Sequence, residues 1–234
     1  KTVGIVLTLS GTLMAAFYLL AAAGILEKVP ALPDFVKNPA FSPVGGLLPQ
    51  AIFLVTVLPL GLSLALGEKE MAKKLFYTVA LAVTSLALAL TIFKILPGKP
   101  DSPALPPFET SWAVAIESIK GSPILGVGPG NYLTAFSRFK PLSYNATNLW
   151  AVRFTTATDF TLTLLTEVGL LGLAALILTY WKALRSLKRK VWGEFDFEKA
   201  ASFSLLASLA FLLLFPATLP LIMLFFLLIF LCMF

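Results

Sequence analysis

Histidine is missing from all 234 residues, which removes the commonest general base near neutral pH and the commonest metal ligand. Cysteine is limited to Cys232, inside the last apolar run, so disulfides and cysteine-based metal sites are excluded. Charge is scarce as well: Asp, Glu, Lys and Arg make up 13% of the chain, against about 25% in soluble domains. What the chain has instead is apolar residues, 58% of the total, with a mean hydropathy of +0.90. They stand in long unbroken runs rather than periodic stripes, which points to a bilayer rather than a soluble core.

A helix needs about 20 apolar residues to cross the hydrocarbon layer. Five or six runs qualify: Val3 to Leu26, Leu47 to Leu66, Leu75 to Leu96, Phe160 to Trp181, Ala200 to Phe215, and Leu219 to the end. In lipid only helices and closed barrels satisfy their own backbone, and these runs are too continuous for barrel strands. The expected fold is therefore all-α, a polytopic helical membrane protein. It divides into residues 1–96, three spans with a loop at 27–46; residues 97–158, a long loop; and residues 159–234, two to three further spans. The first run is too long for the h-region of a cleavable signal. Without an initiator Met, and with apolar runs at both ends, the chain reads as a piece of a longer polytopic protein.

Lysine and arginine set the orientation. "GEKEMAKK" carries Lys69, Lys73 and Lys74, and the stretch at 182–199 carries Lys182, Arg185, Lys188, Arg189, Lys190 and Lys199. Both belong on the cytoplasmic side with Lys1, which turns 27–46 and 97–158 outward. The "LKRK" cluster is read as topology and anionic-lipid contact, not nucleic-acid binding. The extracytoplasmic 97–158 loop is too long for a connector and too aromatic for disorder. "TSWAVAIESIKG" reads as an amphipathic helix along the membrane surface, with Trp112, Ala115, Ile116 and Ile119 on one side, capped by Thr110 or Ser111 and ended by Gly121. "NYLTAFSRFK" is expected to form a second short helix.

Between these helices "SPILGVGPGN" carries Gly126, Gly128 and Gly130. It is not a nucleotide loop: the spacing is G-x-G-x-G, no P-loop Lys-Ser/Thr follows, and no βαβ strand precedes it. Pro129 and the glycines suit a tight turn. The loop and the next span resemble the O-antigen ligase and polymerase family, through Trp112, "SPILGVGPGNYLTAF", "YNATNLWAVRF" and "DFTLTLLTEVGLLGL", roughly Thr110 to Tyr180. Glu167, Gly169 and Gly172 fall on the family's E-x-G-x-x-G positions. Thr158 and Asp159 stand where many members have His-Asn, and Glu109 and Thr110 where many have an arginine, so those family residues do not carry over.

The resemblance implies a glycosyltransferase of the cytoplasmic membrane. It would take glycan from an undecaprenyl-diphosphate carrier and pass it to a glycan, lipid or protein acceptor in surface polysaccharide synthesis. Such an enzyme must hold a diphosphate, help it leave and deprotonate an acceptor hydroxyl. Arginine suits the first task; Arg153, near the membrane entrance, leads, followed by Arg138, with Lys120 and Lys140 as point charges. Arg153 is equally readable as an interfacial anchor beside Trp150 and Phe154. Asp159 is either a base or the cap of its helix. Glu167, about 12 Å further along a straight helix, is a base, a neutral acid or a structural partner. Tyr144, Asn145 and Asn148 can bond sugar hydroxyls, Trp150 or Tyr132 can stack on a ring, and the amides at Gly128 and Gly130 can touch a phosphate. Gly169 and Gly172 otherwise read as a packing pair for a neighbouring helix. No metal, other cofactor or nucleic acid is called for. The competing reading is a non-catalytic protein that binds or transports lipid-linked glycan; the paired repeats and broken helices of a transporter are not evident in the sequence.

Overall fold

The computed structural model describes residues 2–38, 40–187 and 195–233. Lys1 and the cluster Lys188, Arg189 and Lys190, used above for orientation, lie outside the described residues. Those described are helical or irregular, with no strand among them. The long helices are α1 (Thr2–Ala22), α3 (Leu47–Gly67), α4 (Met71–Ile95), α7 (Phe160–Leu187) and α8 (Phe197–Leu214). Short helices α2 (Asp34–Lys37), α5 (Phe108–Gly121) and α6 (Tyr132–Phe139) lie between them, and α9 (Leu219–Met233) closes the chain. Among the described residues, five helices are long and apolar enough to cross a membrane by length and composition. At 15 residues, α9 reaches about 22 Å, short of the roughly 30 Å hydrocarbon core.

The helices divide between two compact units that are not consecutive stretches of chain. One holds residues 1–103, 186–208 and 218–234. Its packing begins with α1, whose buried residues Gly4, Leu7, Thr8, Gly11, Met14, Ala15, Tyr18 and Ala21 repeat every three or four positions along one face. Small residues bring α1 and α3 close: a Cβ on Gly61 would stand 3.2 Å from the Thr8 methyl, and one on Gly11 3.4 Å from Val57. Between α3 and α4 the buried Gln50 amide donates to the Thr91 hydroxyl at 3.0 Å, a polar tie between the two helices.

The other unit holds residues 104–185 and 209–217, so most of the long loop folds together with the helix that follows it. Its core joins Val114 and Ala115 of α5, Tyr132, Ala135 and Phe136 of α6, Tyr144 and Phe154 of the loop, and Leu162 and Leu165 of α7. Phe136 packs edge-on against Tyr144 and Phe154, with ring centroids 5.3 and 5.8 Å apart. The expected amphipathic α5 is present, but its buried residues are Thr110, Ser111, Val114, Ala115 and Ser118. Trp112 is 49% exposed and stacks on Phe108. Thr110 and Ser111 lie inside the helix rather than capping it; Pro107 takes the cap position, where its lack of an N–H costs nothing. Ser111 Oγ bonds Thr158 Oγ1 at 2.9 Å and accepts the Thr158 N–H, pinning α5 to the start of α7.

Helix α7 is not one rod. Gly169, at φ 69° and ψ −156°, breaks it into residues 160–168 and 170–187. Beyond the break the chain turns back: a Cβ on Gly172 would stand 3.2 Å from Leu164 Cγ and 2.6 Å from Val168 Cβ, separations a continuous helix cannot give. Leu173 packs on the cluster that contains Leu165, and Asp159 lies within electrostatic range of Tyr180. The first arm is about 14 Å long and the second about 27 Å, so only the second approaches bilayer thickness.

Candidate functional site

The glycine loop and the broken helix make one element. A helix interrupted at Gly169 leaves carbonyls before the break and N–H groups after it without helical partners. The loop supplies them. Val127 N–H donates to the Thr166 carbonyl at 3.0 Å and Gly128 N–H to the Glu167 carbonyl at 2.9 Å, while Leu170 and Leu171 donate to Pro123 and Ile124 at 2.9 and 3.2 Å. Such backbone contact leaves no room for side chains. A Cβ on Gly126 would fall onto the Thr166 carbonyl and within 2.8 Å of the Glu167 carbonyl. Gly169 thus receives the loop, not a neighbouring helix as the packing-pair reading had it.

Glu167 completes the junction. Its half-buried carboxylate accepts the Tyr132 N–H at 3.2 Å, placing negative charge at the N-terminus of α6, which has no side-chain cap of its own. The Asn131 amide is turned instead to the Val127 carbonyl at 3.2 Å. Tyr132 itself is fully buried, and its hydroxyl faces Ser111 without a hydrogen bond of good geometry. Burial, opposed by Ser111 and reinforced by the nearby Asp159 charge, pushes its phenol up to about 12.

Asp159 caps α7. Its Oδ1 accepts the Leu162 N–H at 2.8 Å and its carbonyl accepts the Thr163 N–H at 3.2 Å. At 6% exposure it is nearly closed to solvent. Burial raises its carboxyl above the ordinary range, partly offset by the amides of Leu162 and Thr161.

Between the end of α5, the glycine loop and α6 opens a cleft of about 770 Å³. Glu117, Lys120, Gly126, Asn131 and Arg138 stand on its wall. Lys120 Nζ is 2.6 Å from Glu117 Oε1, and Arg138 lies 5.1 Å from the Phe139 ring centroid. Of the residues singled out in the sequence, the cleft takes the cations Arg138 and Lys120 with Gly121 and Gly126. Arg153, Asp159, Glu167, Gly128, Gly130, Lys140, Tyr144, Asn145 and Trp150 are not on its wall. Arg153, Asn145 and Trp150 are exposed, and Lys140 Nζ sits 5.1 Å over the Tyr144 ring. The single Tyr144 hydroxyl proton is shared between the Leu149 and Val152 carbonyls of its own loop.

Glu117 and Asn131 were missed by sequence reasoning. The spacing of Glu117 and Lys120, one turn apart on a helix, was the available signal, and Arg138 on the next helix gave the other wall. Among the described residues no group of three or more potential metal ligands occurs. Chemically, the cleft offers a rigid guanidinium fork, an ammonium, one carboxylate and an amide, a set suited to an anionic, hydroxyl-bearing ligand. No protein-family model, no curated protein and no solved structure matches this chain.

Proposed function

We propose that the chain is part of a membrane glycosyltransferase of the O-antigen ligase and polymerase type, acting on a polyprenyl-diphosphate-linked glycan at the outer face of the cytoplasmic membrane. One observation carries this reading. The two stretches that bear the resemblance, the glycine loop and the E-x-G segment, are bonded to each other through four backbone hydrogen bonds and the Glu167 carboxylate. Two motifs that a family keeps in order along its chain here form one structural part, with a cationic cleft beside it.

In this reading Arg138 and Lys120 hold the diphosphate and stabilise the charge it gains as it leaves. The bond between the sugar anomeric carbon and the diphosphate oxygen breaks, its electron pair departing with the phosphate. The acceptor hydroxyl forms the new glycosidic bond and gives its proton to Glu117, the carboxylate on the cleft wall. Glu167 and Asp159 act by positioning, since each holds a helix end. Lys69, Lys73 and Lys74 face the cytoplasm.

The test is transfer of labelled glycan from an undecaprenyl-diphosphate donor by the full-length protein in vesicles. Transfer that Glu117→Gln abolishes supports the enzyme. Donor binding without transfer from any glycan would instead favour a non-catalytic carrier of lipid-linked glycan.

A further inference from the structure

We infer that the loop at 140–153 is a membrane-surface anchor that seats Leu142 and Trp150 among the headgroups of an anionic bilayer. Leu142 is 87% exposed and Trp150 64% exposed, in a loop that lies outside the candidate membrane-spanning helices. Tryptophan is favoured at the membrane–water interface and leucine on the apolar face of interfacial segments.

The exposure is built in rather than a product of slack chain. Tyr144 is 1% exposed, with its ring against Phe136 and its hydroxyl proton shared between the Leu149 and Val152 carbonyls. Thr147 Oγ1 donates to the Tyr144 carbonyl at 2.8 Å and accepts the Leu149 N–H at 3.2 Å, and the Trp150 N–H donates to the Thr147 carbonyl at 3.2 Å. These bonds fix the course of the loop while Leu142 and Trp150 stay largely exposed.

Charge selects the occupant. Residues 118–158 contain no Asp or Glu, and the loop is bracketed by Lys140 and Arg153. Leucine and tryptophan beside lysine and arginine, without acidic residues, match the boundary between acyl chains and anionic headgroups. A second copy of this chain would bring like charges together. The same unit also holds most of the apolar arm of α7 that follows Gly169, the part of that helix that approaches bilayer thickness.

The test places an environment-sensitive fluorophore on Leu142→Cys in a Cys232→Ser background of the full-length protein. Leu142 is exposed, so the label does not disturb the core. In vesicles containing phosphatidylglycerol, lipids brominated high on the acyl chain should quench more than half of the emission, and aqueous acrylamide should quench little. Lys140→Gln with Arg153→Gln, or vesicles of phosphatidylcholine alone, should return the label to water. Acrylamide quenching as strong as for the free dye in every vesicle would overturn the inference. Shielding that persists in detergent and grows with protein concentration would also overturn it, assigning the surface to a second copy.

Discussion

Gly126 and Gly169 meet backbone to backbone: a Cβ on Gly169 would stand 2.7 Å from the Gly126 nitrogen and 2.6 Å from the Ile124 carbonyl oxygen. Neither residue tolerates a side chain, for two separate reasons. Both have positive φ, 63° and 69°, and both are crowded by main chain that cannot swing away. Gly169 also takes a ψ of −156°, a region open in practice to glycine alone. Gly169→Ala should therefore cost about 2 to 3 kcal/mol or more, read as a loss of thermal stability in detergent. Gly130→Ala is the control. Its φ is 76° but nothing lies within 4 Å of the added methyl, so only the conformational cost of about 1 kcal/mol remains. Equal losses in the two variants would show that the loop does not dock into the break.

Glu167 is expected to act through its hydrogen bond to Tyr132. Glu167→Gln keeps an acceptor oxygen for the Tyr132 N–H and should leave stability nearly unchanged, while Glu167→Ala should lose about 1 kcal/mol. Transfer should follow the same order, partly retained in the Gln variant and lower in the Ala variant. Complete loss of transfer in a stable Gln variant would make the carboxylate a chemical participant rather than a positioning group.

Asp159 gives a pH dependence of defined sign. Its folded-state pKa is raised from the ordinary 3.8 by burial, so the folded chain holds the proton more tightly than the unfolded one. The contribution of this group to stability is then greatest in acid and is lost as pH rises from 3.8 through the raised folded value. Asp159→Asn retains an oxygen that can accept the Leu162 N–H and should melt with a flatter acid-side pH profile. Asp159→Ala should lose the cap, about 1 kcal/mol. A profile unchanged in the Asn variant would locate the dependence elsewhere.

The sequence revealed the helices more readily than the junction. Leu47 and Phe160 open α3 and α7 as expected from hydropathy alone, because an unbroken apolar run leaves the backbone no other option in lipid. The turn at Gly169 was hidden for the same reason: hydropathy does not change across it, and glycine is common in membrane helices as a packing residue. Its cause lies in Pro123, Ile124, Val127 and Gly128, far away in sequence, whose backbone replaces the helix's own partners. The face of α5 was misjudged because Trp112 outweighs Ser111 on any apolar scale. Ser111 is the buried one, since Thr158 gives its hydroxyl a partner. Arg138 was visible as a cation, but only the fold puts it across a cleft from Glu117 and Lys120.

In the proposed function the diphosphate is assigned to that cleft, and the most direct measurement is binding of a labelled undecaprenyl-diphosphate glycan to the full-length protein carrying Arg138→Ala or Arg153→Ala. Arg138 is on the cleft wall and Arg153 is not; loss of one charge-assisted contact to phosphate costs about 1.5 to 3 kcal/mol, roughly tenfold or more in affinity. Arg138→Ala should weaken binding and transfer by at least about tenfold, while Arg153→Ala leaves both within about twofold of the parent. Undiminished binding by Arg138→Ala, or a larger loss with Arg153→Ala, would contradict the assignment of the diphosphate to this cleft.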